Sequence, residues 1–426
     1  MPAAGAFGRR LGAIAGGALV VRVLAAFFFD DRTRVGGDAV WYLGNAQLIA
    51  RGEGFAEPLS LAVHHVRFES AAHPPLYPLF LSVVNALGTD SILVHRLWSC
   101  IPGTVAVVLI GLAAREIADD RAGLVAAGAA AVSIALVVQD VVLWSEGLYA
   151  ATIAFVVLAA YRYLRRPTVG GAVLLTVAIT VSALTRAESA LLYPTLLLPL
   201  IVRSRVAVGE RMRAGAAAVL VAAVLIAPWY VYNLGRFEDP GLFSNGLGGL
   251  VASSNCDATY SGPAMGGWGG SCGHDHLRNT AHLDESQYDR VLRDVGRRYA
   301  EDHADRLPVV LPVRVLRTFG FWRPVRLAEQ DLALGEAGIG FAAIVEVLQY
   351  WLYFAVGLAG LARMVRNRRP VLPLLAPVLT VVVISLIGYG TLRFRIAADV
   401  VLPILVGVAV SGWWDRRHRV RAIDLG

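Results

Sequence analysis

Apolar residues fall into long blocks along the chain, at 11–29, 91–113, 122–139, 141–162, 168–184, 189–202, 214–232, 340–362, 371–389 and 397–414. Polar and charged residues crowd the gaps between them. A helix needs about 20 apolar residues to cross a bilayer, and some of these blocks are shorter. The pattern predicts an all-α polytopic membrane protein of about ten to twelve transmembrane helices. The first block is broken only by Arg22, and no clean small-x-small cleavage site follows it. It is therefore expected to remain as a first helix and not to be removed as a signal peptide.

The arginines set the threading. They cluster at Arg9-Arg10, Arg162 to Arg166, Arg203 to Arg213, Arg363 to Arg369 and Arg416 to Arg421. Placing all five clusters in the cytoplasm gives one consistent path, with the N-terminus inside. Segments 30–90, 185–188, 233–339 and 390–396 then lie outside, together with Asp140. The expected organisation is an N-terminal transmembrane catalytic module over 1–232, including the first external loop 30–90. An external region over 233–339 and C-terminal transmembrane helices with a short cytoplasmic tail over 340–426 follow. Two shorter runs, 39–51 and 74–87, are too short to span and predict juxtamembrane helices at the outer interface. The first of them ends at Gly52 and Gly54, which can supply helix-stop geometry. In the external region, Asp284 to Asp305 predicts a charged surface helix. Leu307 to Trp322, with Arg314 and Arg317 among apolar residues, suits the membrane interface.

Composition agrees with this picture. The 426 residues are 56% hydrophobic and 17% charged, against about 45–50% apolar and 25% charged in soluble domains. The net charge of +7 comes from arginine, since the chain contains no lysine. That usage, with abundant Ala, Val and Gly, points to a high-GC bacterial genome. The basic excess belongs to cytoplasmic loops. No stretch interleaves basic and aromatic residues, so membrane lipids are expected as partners and nucleic acid is not.

Of three cysteines, Cys100 falls within a predicted span and is expected to pack. Cys256 and Cys272 share the external region, where an oxidising compartment permits a disulfide. A metal site from Cys256, Cys272, His274 and His276 is the rival, although this run lacks the paired-ligand spacing of zinc sites. Free thiols are the third option.

Several charged residues stand where charge is costly. Asp38 opens the run 39–51. An aspartate there is an ordinary N-cap, but Trp41, Tyr42 and the later run His73-Pro74-Pro75-Leu76-Tyr77-Pro78 keep it company. Prolines suit a helix first turn, whereas nothing in a plain helix start requires His73. It can donate to a phosphate or orient a carboxylate, with Glu69 as its partner or as a second acid. Arg186 and Glu188 occupy a tight outer turn. A local salt bridge there is worth about 0–1 kcal/mol; the functional reading is a guanidinium that binds phosphate bidentately. Arg393 and Arg395 are positive charges on the face that the positive-inside bias disfavours, so an anionic partner or lipid headgroups would account for them. Asp140 and Glu146 are weaker candidates, each with a structural hydrogen-bonding role as its alternative. Arg314 and Arg317 are held in reserve as phosphate ligands.

Gly37 to Phe55 reads G-D-A-x-x-Y-x-x-x-A-x-x-x-A-x-G-x-G-F, and His73 to Pro78 reads H-P-P-L-Y-P. In these two motifs the chain resembles the GT-C superfamily of polyprenyl-phosphate-dependent glycosyltransferases, nearest the branch of the protein O-mannosyltransferases and aminoarabinose lipid A transferases. The Arg186 turn and the Arg393/Arg395 pair match more loosely. The resemblance implies transfer of a sugar, with inversion, from a polyprenyl-phosphate donor to a hydroxyl of a glycan, lipid or protein. It places the reaction on the external face of a bacterial plasma membrane, with Asp38 as general base. The family often has a second acid beside the first; here Ala39 follows. His73 precedes the prolines as in the mannosyltransferases. The phosphate leaving group needs positive charge and no general acid, so one carboxylate suffices as base. No cofactor is required, and a divalent metal stays open as an addition. A polytopic transporter or lipid-linked-sugar flippase is the rival from another class, and a polyprenyl-binding scaffold is the third reading.

Overall fold

The computed structural model describes residues 2–30, 35–270, 272, 282–324, 326–327 and 340–423. Among the described residues the chain is helical apart from one isolated bridge between Ala56 and Glu69. Each apolar block carries a helix. Among the described residues six helices are long and apolar enough to cross a membrane, or seven if one bent helix pair counts as a single span. In chain order, α1 is Pro2–Asp30, and the outer helices α2, α3 and α4 are Asp38–Ala50, Pro58–His64 and Leu76–Ala86. Then α5 is Ile92–Ile117, α6 and α7 are Asp120–Ala131 and Ile134–Val141, and α8 is Glu146–Arg165. After α9, Val169–Thr185, a tight turn Ala187–Leu191 and a wide turn Tyr193–Leu197 lead into α10, Leu198–Val202, and α11, Val208–Leu234. The external region holds α12 Leu247–Ser254, α13 Asp257–Tyr260, α14 Glu285–Asp302 and α15 Leu307–Thr318. The chain returns through α16 Gly340–Arg366, α17 Leu372–Ile387 and α18 Ile396–Ile423.

The bundle core is built on α5, which packs against α1, α6 and α8; α18 packs against α6, α16, α5 and α8. Small residues permit this. A Cβ on Gly123 of α6 would stand 2.7 Å from the carbonyl oxygen of Gly111 on α5, the close approach that membrane helices use where lipid supplies no hydrophobic drive.

One span is broken. α6 and α7 meet at a 52° bend, and a broken helix in lipid needs its freed backbone groups satisfied. Gln349 of α16 does this, accepting from the Ile134 amide at 2.8 Å and donating to the Val132 carbonyl at 2.9 Å. Arg22 donates to the Ala131 carbonyl at 3.4 Å and pairs with Asp140 at 2.7 Å. The arginine that breaks the first apolar block is thus a structural tie.

The two ends of the bundle differ. At one end, Arg115 lies 4.2 Å over the Phe7 ring, Arg165 pairs with Glu116 at 2.8 Å and Tyr161 donates to the Pro370 carbonyl at 2.8 Å. The other end carries α2, α4 and the region α12–α15. There Cys256 and Cys272 are bonded to each other, with Cα atoms 5.9 Å apart. Their rival metal partners His274 and His276 lie outside the described residues. The charged helix forms as α14, closed by a capping box: the Gln287 amide donates to Asp284 at 2.9 Å and the Asp284 amide to Gln287 at 3.0 Å. In Leu307 to Trp322, the apolar Val309 and Leu316 stay exposed. Arg314 and Arg317 on α15 turn inward. Arg314 donates to the carbonyls of Ser254 at 2.5 Å and Leu386 at 3.1 Å, and Arg317 to that of Gly390 at 3.2 Å. They tie the external region to α17, which removes them as phosphate ligands.

Candidate active site

Where α2, the α9–α10 turn and the external region meet, a cleft of about 470 Å³ opens. Asp38 stands at its mouth as the first residue of α2. The residue before it, Gly37, has φ of +55°, a conformation open to glycine at little cost. His73 comes from the segment ahead of α4. Its ring packs against Trp41 and Tyr42 with centroids 4.9 Å from each, and its Nε2 lies 3.9 Å from Asp38. That segment is gripped from outside: Glu285 at the start of α14 accepts from the Ser70 hydroxyl and the Ala71 amide, both at 2.6 Å. Trp41 Nε1 also donates to Ser70, at 3.1 Å.

From Asp38 an alternating row of charges runs along the cleft. Arg393, in the turn Leu392–Arg395, donates through Nη2 to Asp38 at 2.6 Å and through Nε to Glu146 at 2.6 Å. Arg186 pairs with Glu146 and with Glu188, each at 2.5 Å. Trp144 lies under the Arg393 guanidinium, 4.3 Å from it, and Tyr42 donates to Ser145 at 3.2 Å. Burial pushes the Asp38 carboxyl up, but the Arg393 guanidinium that donates to it outweighs this and holds the group well below the usual carboxylate range. Burial pushes His73 below its ordinary value against the opposing pull of Asp38, so its ring is neutral at pH 7. Leu250, Trp268, Tyr288, Leu292, Ile384 and Phe394 give the cleft its apolar and aromatic lining.

Asp38, Tyr42, His73, Arg186, Glu188 and Arg393 thus line one cleft, although 355 residues separate Asp38 from Arg393. Glu69 does not join them. It pairs with Arg67 at 2.8 Å and Arg236 at 2.6 Å, so it is neither a partner of His73 nor a second acid in the cleft. Arg395 faces the other way. It pairs with Asp399 at 2.9 Å and Glu346 at 3.2 Å, with the Tyr350 ring 3.7 Å away. Its partner is protein, not headgroup or donor. Asp140 lies in the structural pair with Arg22. Glu146, a minor candidate in the sequence, is the centre of the row. Trp144, under Arg393, and Ser145 and Trp268, in the cleft lining, have no local spacing in the sequence that marks them. Among the described residues no group of three His, Cys, Asp or Glu side chains is placed to hold a metal ion; Asp38 and Glu146 already share Arg393.

These features define a multi-pass membrane protein with a charged cleft at its loop-rich end. A family model described as dolichyl-phosphate-mannose-protein mannosyltransferase matches residues 72–232. No protein of curated function matches the chain in sequence. Among solved structures, the chain is similar to the apo oligosaccharyltransferase of Archaeoglobus fulgidus, with 14% identity and a TM-score of 0.54 over 98% of this chain and 52% of that one. The same organism's enzyme in complex with an inhibitory peptide and a dolichol-phosphate gives 14% identity and a TM-score of 0.51, over 96% of this chain and 51% of that one. ArnT from Cupriavidus metallidurans bound to undecaprenyl phosphate aligns at 16% identity over 92% of this chain and 77% of that one; its TM-score of 0.44 is too low to argue from. The chain spans about half the length of the oligosaccharyltransferases it matches. The likeness to the solved structures is one of fold and runs along nearly the whole chain, whereas the family model matches residues 72–232.

Proposed function

We propose that this protein transfers a sugar from a polyprenyl-phosphate donor to a hydroxyl of a glycan, lipid or protein acceptor. The reaction runs on the external face of a bacterial plasma membrane, with inversion at the anomeric carbon. The observation that carries the reading is the Asp38 carboxylate facing a cleft together with two guanidiniums, Arg393 and Arg186. A sugar on phosphate already has a good leaving group. The phosphate departs as an anion, and the guanidiniums stabilise the charge it gains. Asp38 takes the proton of the attacking hydroxyl. With one carboxylate and one displacement the anomeric centre inverts, unlike retaining two-carboxylate glycoside hydrolysis. Neutral His73 packs beside Asp38 and orients it.

Two observations support the external side. The cleft lies at the end opposite the arginine-rich turns, which the positive-inside bias assigns to the cytoplasm. The Cys256–Cys272 disulfide lies at the cleft end, and disulfides persist in oxidising compartments. The cleft charges gather at one end and do not line a path through the bundle, which favours an enzyme over a flippase.

The test is Asp38→Asn in detergent-purified protein, following sugar release from a synthetic undecaprenyl-phosphate donor onto a cell-envelope fraction. Asparagine preserves shape and capping but is no base. Turnover should fall by about 10²- to 10⁴-fold, with the melting curve retained. Near-normal turnover in the variant would refute the catalytic assignment.

A further inference from the structure

The cleft row poses a problem for any anionic ligand. Three carboxylates, Asp38, Glu146 and Glu188, face two guanidiniums, Arg393 and Arg186, and both guanidiniums are already engaged by carboxylates. The other polar side chains of the cleft, His73, Tyr42, Ser145 and Tyr389 among them, bring no further positive charge while His73 is neutral. A phosphate entering this cleft meets a row that is net negative, and to gain the Nη2 edge of Arg393 it has to displace Asp38.

We infer that the donor phosphate takes the Nη2 edge of Arg393 from Asp38, while Glu146 keeps hold of Nε, so that donor binding itself frees the catalytic base. The geometry provides for this. Arg393 uses two different nitrogens for its two carboxylates. Glu146 is fully buried, whereas the Asp38 side chain is 32% exposed to the cleft. One partner is fixed and the other is replaceable. Glu146 is thus a positioning residue, and Asp38 is the exchanged one. The inference rests on the reading of the cleft as a donor-phosphate site.

The consequence is chemical. Paired with Arg393, Asp38 is a weak base. Released from it, the carboxylate accepts the proton of the acceptor hydroxyl. The oxygen of that hydroxyl forms the new bond to the anomeric carbon, and the carbon–oxygen bond to phosphate breaks with its electron pair leaving on the phosphate. When the lipid phosphate departs, Arg393 returns to Asp38 and favours loss of the proton, which resets the site. No base is poised in the protein without donor.

The exchange makes a prediction of opposite sign to the catalytic one. Undecaprenyl phosphate itself is the probe, with binding measured on the full-length protein in detergent. Asp38→Asn should bind it more tightly, by roughly tenfold, the worth of about one charge-assisted hydrogen bond. Simple relief of charge repulsion would also tighten binding, so the cycle with Arg393→Gln decides. In the Arg393→Gln background the gain from Asp38→Asn should disappear, and in a Glu146→Gln background it should shrink. A gain that persists without Arg393, or equal affinity in wild type and Asp38→Asn, overturns the exchange while leaving the donor site standing. A coupling that survives Glu146→Gln intact removes Glu146 from it. Absence of binding to wild type and Asp38→Asn alike overturns the lipid-phosphate reading itself.

Discussion

Arg393 and Arg395 sit on one turn and lead different lives. Arg393 faces the cleft, 15% exposed, and divides itself between Asp38 and Glu146. Arg395, 2% exposed, is closed in by Asp399 and Glu346 with Tyr350 against its plane. The turn explains the split. Leu392–Arg395 winds with about three residues per turn, so positions two apart leave the axis about 120° from one another. Charge within a membrane protein is commonly read as a sign of function. Here that sign holds for one arginine of the pair, and the partners decide which. A pair sealed on all sides, such as Arg395–Asp399 or Arg22–Asp140, is architecture. A row with one member open to a cleft is equipped to exchange partners.

The strongest way to break this comparison is to remove the sealed arginine. Arg395→Gln leaves Asp399 and Glu346 buried without their cation, and such a loss costs about 3–5 kcal/mol. Thermal unfolding in detergent should shift strongly downward. The fraction that remains folded should bind undecaprenyl phosphate with wild-type affinity. Unaltered melting, or a selective loss of lipid binding, would show that Arg395 belongs to the site after all.

Arg393→Gln should give the opposite result. A charge-assisted hydrogen bond is worth about 1.5–3 kcal/mol, so kcat/KM for the donor should fall about ten- to a hundredfold with a modest change in melting temperature. Lysine should rescue only in part, because it lacks the fork that reaches two partners at once. If Arg393→Gln and Arg395→Gln lower stability and donor affinity alike, the distinction between open and sealed pairs fails.

Much of the architecture was legible from the chain. Blocks of apolar residues separated by arginines mark helices and their order, and the structure fills each block with helix, breaking 122–139 in two at α6 and α7. Asp38 and His73 announced themselves by local pattern, and the structure brings them within 3.9 Å. What stayed hidden depends on pairing across the fold. Glu146 looks like an isolated acid in an apolar run, and its role appears only once Arg186 and Arg393 close on it from distant elements. Arg314 sits in an amphipathic pattern that suits a membrane interface, yet the Ser254 and Leu386 carbonyls that receive it lie in other elements. Glu69 and Arg395 carry the right chemistry at plausible places. Which way each side chain turns is a tertiary fact that spacing along the chain does not encode.

A third prediction uses pH to separate the two cleft groups. Asp38 has its folded pKa below its unfolded value of about 3.9. Its contribution to stability is therefore present above that value and is lost only at lower pH. His73 also has its folded pKa below its ordinary value, but as a base it resists protonation in the folded state. The unfolded chain binds that proton more readily, so stability should begin to fall as pH drops below about 6.5. Melting temperatures should show this decline in wild type and lose part of it in His73→Gln. An unchanged pH dependence in the variant would mean that His73 is not held neutral by its surroundings.

The smallest effect is expected at Glu69, which tests the boundary of the cleft. It lies close to the site in sequence, four residues before His73, and it is bound to two arginines. Arg67 is an exposed partner, and pairs of that kind contribute about 0–1 kcal/mol. Arg236 does not depend on Glu69 alone, since it also donates to Asn233 at 2.8 Å and to the Ser70 carbonyl at 3.2 Å. Those bonds would hold the segment in front of His73 when Glu69 is neutralised. Glu69→Gln should therefore leave donor affinity and turnover within about twofold of wild type, in line with a loss of less than 1 kcal/mol. A tenfold or larger fall in kcat with unchanged donor binding would restore Glu69 as a second acid. The open row would then extend beyond Asp38 toward the outer loop.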